Sequence, residues 1–207
     1  MKIDFQPDAV ILANGQFPTH SIPLSVLEQA HYLCCCDGAV NNLRRKPDAI
    51  VGDGDSLAPD FKQNYGDIIH IIDEQEYNDL TKATQFCMQK GFKKMAYIGA
   101  TGKREDHTMG NISLMVYYTR ELRLDVSLLT DHGYFTVHKG YCELQTFEGQ
   151  QVSIFNINCS ELSGEGLKWE PYAYQSLWQG TLNEALSATI RLHGDGFFMV
   201  FRTYDAK

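Results

Sequence analysis

The first half of the chain alternates short apolar runs with segments of helical character. The apolar runs are typical of buried strands that end in loops, and they cover residues 9–14, 31–36, 49–51, 68–72 and 95–98. Helices are predicted between and after them, at residues 22–29, 39–45, 59–64, 78–90 and 108–122. Asn78 is the predicted cap of the clearest helix. Strands that alternate with helices predict a largely parallel sheet covered on both faces.

The pattern changes after about residue 125. Short β-rich segments follow one another at residues 126–130, 134–139, 142–147, 152–156, 187–193 and 197–202. Turn signals such as residues 131–133 and 194–196 separate them, which is typical of an antiparallel sandwich or barrel. The chain is therefore predicted to be an α/β protein, with an α/β domain over residues 1–125 and a smaller antiparallel β-sandwich domain over residues 126–207.

Composition narrows the class of protein. The chain has 207 residues, 43% of them hydrophobic, and a formal net charge of −8. The sequence has no run of Lys or Arg dense enough to bind along a nucleic-acid backbone, so nucleic-acid binding is disfavoured. No apolar stretch reaches the length that spans a bilayer, and the first residues resemble neither a signal nor a transit peptide. We expect a cytoplasmic protein without a membrane partner.

Six cysteines are present, and Cys34, Cys35 and Cys36 are consecutive. Adjacent residues of a strand point to opposite faces, so these three do not form a zinc site of the usual spacing. The expectation is buried, reduced thiols and no disulfide framework.

Two carboxylates, Asp53 and Asp55, stand one residue apart in a glycine-containing turn after an apolar run. At about 6 Å and an effective dielectric of about 20, two ionised groups repel each other by roughly 3 kcal/mol. A divalent cation removes that cost. The segment alone is equally typical of an ordinary turn, because Asp, Gly and Ser are common turn residues.

Polar groups follow several of the other predicted strands. They are Asn14-Gly15, Asp37-Gly38, the segment from Asp73 to Asp79, and the segment from Gly99 to Asp106. Ligands of an open parallel sheet bind outside the carboxyl ends of its strands, where these segments are expected to meet. Glycines let a backbone approach phosphate, and Asp oxygens suit Mg²⁺.

The segment from Gly99 to His107 leads into a predicted helix. Backbone N–H groups there, with Lys103 or Arg104, are suited to phosphate oxygens, although a solvated loop capped by Asp106 is the alternative. His107 is equally typical of a structural hydrogen-bonding group. The sequence contains no GxxxxGK[ST] loop, no protein-kinase glycine loop and no nucleophile elbow, so those classes of enzyme have no support.

Four of these segments, in this order, resemble the motifs of the thiamine pyrophosphokinase family. The segments are residues 37–39, 47–56, 75–83 and 99–111, and the resemblance continues at residues 166–169 and 183–184. The chain departs from the family pattern at Gly54, where a bulky residue is usual, at Lys103, where a glycine is usual, and at Leu182, where a serine is usual.

The resemblance implies transfer of pyrophosphate from ATP to thiamine, giving thiamine diphosphate and AMP. It also implies a homodimer with thiamine near the subunit junction. Under this reading Asp53, Asp55 and Asp79 hold Mg²⁺, and Asp55, Asp79, Arg104 and Asp106 act in catalysis. The predicted substrate-binding residues are Asp37, Gly38, Gln75, Lys82, Thr101, Gly102, His107, Asn111, Trp169 and Asn183.

Two alternatives remain open at this point. The same carboxylates would serve a magnesium-dependent phosphohydrolase or a transferase acting on another nucleotide. A non-catalytic regulator that binds thiamine or a nucleotide would share the fold. Trp169 is also typical of a core aromatic residue, and no residue is identified as the general base.

Overall fold

The computed structural model describes residues 4–55, 57 and 65–206. The strands are β1 (Ala9–Leu12), β2 (Leu33–Cys36), β3 (Ala49–Gly52), β4 (Ile69–Ile71), β5 (Lys94–Ile98), β6 (Asp125–Leu129), β7 (Gly133–Gln145), β8 (Gln150–Asn156), β9 (Leu162–Glu165), β10 (Asn183–Glu184) and β11 (Thr189–Ala206). The α-helices are α1 (Ser21–Glu28), α2 (Asp79–Gln89) and α3 (Glu105–Arg120), and 3₁₀ turns cover Asp37–Asn42, Gly66–Ile68 and Leu177–Gly180. The predicted helix at residues 59–64 lies outside the described residues.

Six strands form a parallel sheet in the order β4, β3, β2, β1, β5, β6. From β1 the chain moves outward to β4, and it then returns to place β5 on the other side of β1. The direction of winding therefore reverses between β1 and β5. Crevices that bind ligands in open α/β sheets form at such a switch point.

Both faces of the parallel sheet are buried, as the continuous apolar strands predict. Ala9 and Ile11 of β1 pack in a core with α2 and α3, whereas Val10 and Leu12 pack in a second core with α1. Cys34 and Cys36 face the first core and Cys35 faces the second. The α/β fold class is confirmed, and all six cysteines are free thiols. Burial raises the pKa of Cys35 to about 12.

Strand β6 joins the parallel and antiparallel parts into one sheet, whereas the sequence pattern assigns it to the antiparallel part alone. As predicted, it pairs antiparallel with β7, with Leu128 opposite Phe135. It pairs in parallel with β5, with Val126 opposite Met95, and its side chains enter the two cores of the parallel sheet. A short β-rich run has the same pattern in either kind of sheet, but α3 between β5 and β6 is the crossover that a parallel pair needs. The division into domains at residues 125 and 126 stays a prediction.

The antiparallel sheet is built on two long strands. The sequence pattern predicts two short strands where the structure has the single strand β7, and two more where it has the single strand β11. Residues 194–196, predicted as a turn, form a register shift within β11. One edge of β11 pairs with β9 before this shift and with β8 after it. The sheet bends there around a core of its own that includes Ile154, Leu192 and Phe198.

A buried ion pair fastens the start of the chain to this sheet. Arg202 of β11 is 1% exposed, and its Nη1 donates to Asp4 Oδ2 at 2.9 Å and to the Gln145 carbonyl oxygen at 2.8 Å. Burial by itself would raise the pKa of Asp4, but the hydrogen bonds and the charge of Arg202 bring that pKa below its ordinary value. Removal of Asp4 would leave a buried guanidinium without its counter-charge, which is strongly destabilising.

No helix among the described residues has both the length and the apolar character needed to cross a bilayer. The cytoplasmic location stays a prediction.

Candidate active site

A cleft of about 410 Å³ opens at the carboxyl edge of the parallel sheet, at the switch point between β1 and β5. Its walls are residues 13–15 after β1, Cys36 at the end of β2, residues 78–80 at the start of α2, residues 100, 101, 103 and 104 after β5, and residues 107, 108 and 111 of α3. Four regions that are far apart in the sequence therefore meet here, because the segment after β5 leads directly into α3.

The loops after β1 and β5 are in direct backbone contact. Gly15 N donates to the Gly99 carbonyl oxygen at 2.6 Å, and Gln16 N donates to the Thr101 carbonyl oxygen at 2.8 Å. A Cβ atom at Gly15 would lie 2.3 Å from the Gly99 oxygen. Any side chain at position 15 would therefore push the two loops apart and change the shape of the cleft.

Asp79 provides the acidic wall of the cleft. It is the first residue of α2, and Asn78 caps this helix by accepting a hydrogen bond from Thr81 N at 3.0 Å. Burial raises the pKa of Asp79, the nearby Lys82 ammonium lowers it, and the charges of Asp53 and Asp37 raise it; the net shift is upward. Lys82 Nζ lies 3.7 Å from Asp79 Oδ1.

Asp37 and Asp53 reach this region from the ends of β2 and β3. Asp37 begins the 3₁₀ turn after β2 and is buried. A Cβ atom at Gly52 would lie 2.7 Å from the Asp37 Cβ atom, so the glycine at the end of β3 makes room for Asp37. Asp53 Oδ1 accepts a hydrogen bond from Asp55 N at 3.1 Å, and Asp55 is exposed.

The chemistry of these donors suits a hard divalent cation. Ionised Asp37, Asp53 and Asp79 repel one another, and the raised pKa of Asp79 reflects that repulsion together with burial. Among the described residues, no group of three or more His, Cys, Asp or Glu side chains forms a ready metal site. Mg²⁺ usually binds through one or two carboxylates, with waters and substrate phosphates in its other positions, so the residues fit this ion.

The other wall of the cleft carries charges of both signs, because Lys103 and Arg104 line it and the first turn of α3 contains Glu105 and Asp106. Arg104 donates two hydrogen bonds to Asp106, from Nε to Oδ1 at 3.0 Å and from Nη2 to Oδ2 at 2.6 Å. The hydrogen bonds from Arg104 lower the pKa of Asp106, and both side chains are exposed. Arg104 is the N-cap of α3, which begins three residues before the predicted start at residue 108.

Asparagine side chains connect the two walls. Asn111 Nδ2 donates to the Ala100 carbonyl oxygen at 2.7 Å, and Asn78 Nδ2 donates to Asn111 Oδ1 at 3.3 Å. These bonds join α2, α3 and the loop after β5. His107, one turn before Asn111 on α3, also lines the cleft.

Trp169 and Asn183 form a separate pair in the antiparallel part. Asn183 Nδ2 donates to the Trp169 carbonyl oxygen at 2.7 Å, and Asn183 Oδ1 accepts from Trp169 N at 3.2 Å. Asn183 is buried, but Trp169 is 54% exposed and does not line the cleft. Trp169 is therefore not a core aromatic residue. Leu182, beside the pair, has a positive φ of 63°.

Comparison with known proteins identifies the family. Residues 24–127 match the family model described as thiamin pyrophosphokinase, catalytic domain, and residues 133–201 match thiamin pyrophosphokinase, substrate-binding domain. The chain belongs to the thiamin pyrophosphokinase family. The resemblance of the sequence motifs to this family is thus confirmed.

Individual relatives agree with this membership. Thiamin pyrophosphokinase 1 of Caenorhabditis elegans is 32% identical over 102 residues, covering 44% of this chain and 42% of the relative. Thiamine pyrophosphokinase 1 of Oryza sativa subsp. japonica is 30% identical over 151 residues, covering 59% of this chain and 55% of the relative. The chain spans about half the length of the curated relatives it matches.

Solved structures of the family share the fold. Thiamin pyrophosphokinase from Candida albicans superposes with a TM-score of 0.79 at 18% identity, covering 96% of this chain and 90% of the other. Thiamine pyrophosphokinase from Bacillus subtilis superposes with a TM-score of 0.77 at 18% identity, covering 95% of this chain and 99% of the other.

The structure brings some of the predicted site residues together and leaves others apart. The predicted residues that line the cleft are Asp79, Thr101, Arg104, His107 and Asn111. Around them, Asp37, Asp53 and Lys82 interact with Asp79, Asp106 pairs with Arg104, and Gly102 lines a neighbouring cleft. Gly38 is buried in the 3₁₀ turn, Asp55 is exposed, and Gln75 is exposed with its Nε2 donating to the Asp73 carbonyl oxygen at 3.2 Å. The roles of all these residues stay predictions.

Asn14 and Asn78 line the cleft but were given no role in the site. The Asn-Gly pair at the end of β1 is the signal that marks Asn14, because an asparagine and a glycine follow a buried strand there. Asn78 was predicted only as a helix cap, and its contact with Asn111 depends on the packing of α2 beside α3.

The two neighbouring carboxylates Asp53 and Asp55 provide a matched test of this electrostatic arrangement. Asp53→Asn should lower the pKa of Asp79, because it removes a negative charge that raises it. Asp55→Asn, with the same change in net charge, should lower it less. Titration of the Asp79 carboxyl carbon by ¹³C NMR measures both. Equal shifts in the two variants, or a rise in Asp53→Asn, would contradict the arrangement.

Proposed function

We propose that the protein transfers a pyrophosphoryl group from ATP to the hydroxyethyl oxygen of thiamine, giving thiamine diphosphate and AMP. The observation that carries this proposal is the cleft at the switch point, which Asp79 lines together with Lys103 and Arg104, the two cations that precede α3. A polyphosphate with a divalent cation has the charge pattern that such a cleft accommodates. Membership of the thiamin pyrophosphokinase family supports this choice of reaction.

The reaction exchanges one phosphorus–oxygen bond for another. The thiamine hydroxyl oxygen bonds to the β-phosphorus while the bond from that phosphorus to the α,β-bridging oxygen breaks. The bridging oxygen leaves with its electron pair as part of AMP, and the hydroxyl proton is released. Little covalent chemistry is required of the protein, so catalysis depends on positioning and on electrostatic stabilisation.

The residues of the two walls divide these tasks. Arg104, oriented by its two hydrogen bonds to Asp106, neutralises charge on the polyphosphate. Asn111 binds the backbone of the loop after β5 and so keeps this loop beside the amino end of α3. The backbone N–H groups at the amino end of a helix bind anions. Asp79, with Asp53 and Asp37 near it, would hold Mg²⁺, and Asp55 is the further predicted ligand. When bound, this ion would neutralise charge on the transferred group.

An assay with ATP, Mg²⁺ and thiamine separates the three candidate functions. Equal amounts of AMP and thiamine diphosphate, formed only when thiamine is present, support the transferase. Nucleotide hydrolysis that does not depend on thiamine would support a phosphohydrolase. Binding of thiamine or ATP without turnover would support a regulator.

Asp79→Asn should abolish most of the turnover while the protein stays folded. The side chain keeps its size and loses the charge at the acidic wall, so we expect kcat to fall by a factor of about 100 or more. Asp125→Asn removes the same charge at the amino end of β6, far from the cleft, and should leave kcat within about twofold. Circular dichroism checks the folding of both variants. A folded Asp79→Asn protein with wild-type kcat would exclude Asp79 from the mechanism.

A second part of the proposal concerns assembly as a homodimer. An apolar groove of about 500 Å³ lies between α3 and the antiparallel sheet, and Ile112, Val116, Phe155 and Leu177 are among its lining residues. Leu177 is 57% exposed, and Met109 in the same groove is 71% exposed. A large exposed apolar surface is typical of a protein interface. The resemblance implies a homodimer with thiamine near the subunit junction, and we propose this surface as the site of the second copy.

Met109→Asp should weaken this dimer, because it places a charge in the apolar groove. We expect a lower average mass in size-exclusion chromatography with light scattering, together with a higher KM for thiamine. Ile71→Asp changes an exposed apolar side chain on β4, outside the groove, and should leave the mass unchanged. A monomeric wild-type protein at micromolar concentration, or a Met109→Asp variant as dimeric as wild type, would contradict this part.

A further inference from the structure

Lys103 spans the mouth of the cleft. Its Nζ donates to the Asn14 carbonyl oxygen at 3.0 Å and to Asn14 Oδ1 at 3.3 Å. Asn14 follows β1 and Lys103 follows β5, so this contact joins the two loops that flank the switch point. Both residues line the cleft, and the Lys103 side chain is exposed.

The other cations of this region are held by carboxylates. Arg104 makes two hydrogen bonds with Asp106, and Lys82 lies beside Asp79. Within the described part of the chain, no carboxylate lies at ion-pair distance from Lys103. Its two acceptors belong to Asn14 and are neutral. A cation held only by neutral oxygens still has its charge available to an anionic ligand.

A phosphate oxygen is a stronger acceptor for Lys103 than Asn14 is. Hydrogen bonds between two charged partners are shorter and about twice as strong as bonds between neutral partners. Lys103 Nζ has three donors, so it can bind phosphate oxygens while keeping a bond to the Asn14 carbonyl oxygen. The flexible four-carbon side chain allows this change without movement of the two loops.

We propose that Lys103 is a phosphate-binding residue that makes the cleft selective for the polyphosphate of the donor over a nucleoside monophosphate. This inference rests on the proposed function for the identity of the donor. The charge of Lys103 contributes more to the binding of a polyphosphate than to the binding of AMP, because the polyphosphate carries more negative charge. The same difference favours entry of ATP and release of AMP.

Calorimetric binding of inorganic tripolyphosphate and of AMP to the whole protein tests this inference without requiring turnover. Lys103→Gln should weaken tripolyphosphate binding about tenfold, as expected for a lost hydrogen bond between charged partners. AMP binding should change less than about threefold, and Lys103→Arg should restore most of the tripolyphosphate affinity. The affinity for tripolyphosphate should also fall less steeply with added salt in Lys103→Gln than in wild type.

Two control variants separate phosphate binding from a structural role. Lys93→Gln removes an identical charge just before β5, at the opposite end of the strand that Lys103 follows, and should bind tripolyphosphate as wild type does. Asn14→Ala removes the side-chain acceptor of Lys103 but keeps its charge. The variant keeps the backbone acceptor, so it tests the side-chain contact alone: if that contact acted only by holding the two loops, Asn14→Ala would weaken tripolyphosphate binding as Lys103→Gln does. We expect it to bind at least as tightly as wild type.

Steady-state kinetics distinguish a failure of this inference from a failure of the proposed function. In an active enzyme, Lys103→Gln should raise the KM for ATP about tenfold and leave the KM for thiamine within about twofold. Absence of thiamine diphosphate with wild-type protein would overturn the proposed function, while the tripolyphosphate measurement would still decide the role of Lys103. Wild-type tripolyphosphate affinity in Lys103→Gln, or equal losses in Lys93→Gln, would overturn the inference.

Discussion

The close backbone contact between Gly15 and Gly99 determines the shape of the candidate active site. The two residues follow β1 and β5, the neighbouring strands between which the winding of the sheet reverses. At a hydrogen-bond distance of 2.6 Å, no side chain fits between the loops. The loops therefore meet at a fixed position, with Asn14 and Thr101 facing the cleft. The walls formed by α2 and α3 depend on this contact because Asn111 binds the backbone of the same loop.

The second constraint is the separation of charge across the cleft. Carboxylates from the ends of β2 and β3 and from the start of α2 lie on one side, and their mutual repulsion is an energetic cost that the isolated chain carries. On the other side, Lys103 and Arg104 precede α3, and the N–H groups at the amino end of a helix favour anions. A divalent cation would reduce the repulsion between the carboxylates, and a polyphosphate bound with it would supply the anion for the other side. These charges support the proposal of a ligand that carries charges of both signs.

The sequence was sufficient where chemistry is local, and insufficient where it depends on packing. The apolar runs of β1, β2 and β3 and the Asn78 cap predict buried parallel strands and a helix start because each is set by neighbouring residues. By contrast, the strands that pair with β6 depend on which strand edges lie beside it in the folded sheet, and a short β-rich run does not specify them. The shift in β11 looked like a turn because Gly194-Asp195-Gly196 is a common turn composition. The polar or very short strands β9 and β10 have no alternating pattern at all.

The candidate site shows the same division. Residues that follow strands, such as Asp37, Asp53 and Thr101, were predictable as a group from the topology of an open sheet. The pairing of Arg104 with Asp106, the contact of Lys103 with Asn14 and the separation of Trp169 from the cleft required coordinates. The central claim is transfer of an intact pyrophosphoryl group, and the fate of the γ-phosphate in ATP labelled there with ³²P tests it most directly. We expect the label in thiamine diphosphate, with unlabelled AMP as the other product. Label in free orthophosphate, with ADP formed, would exclude pyrophosphoryl transfer.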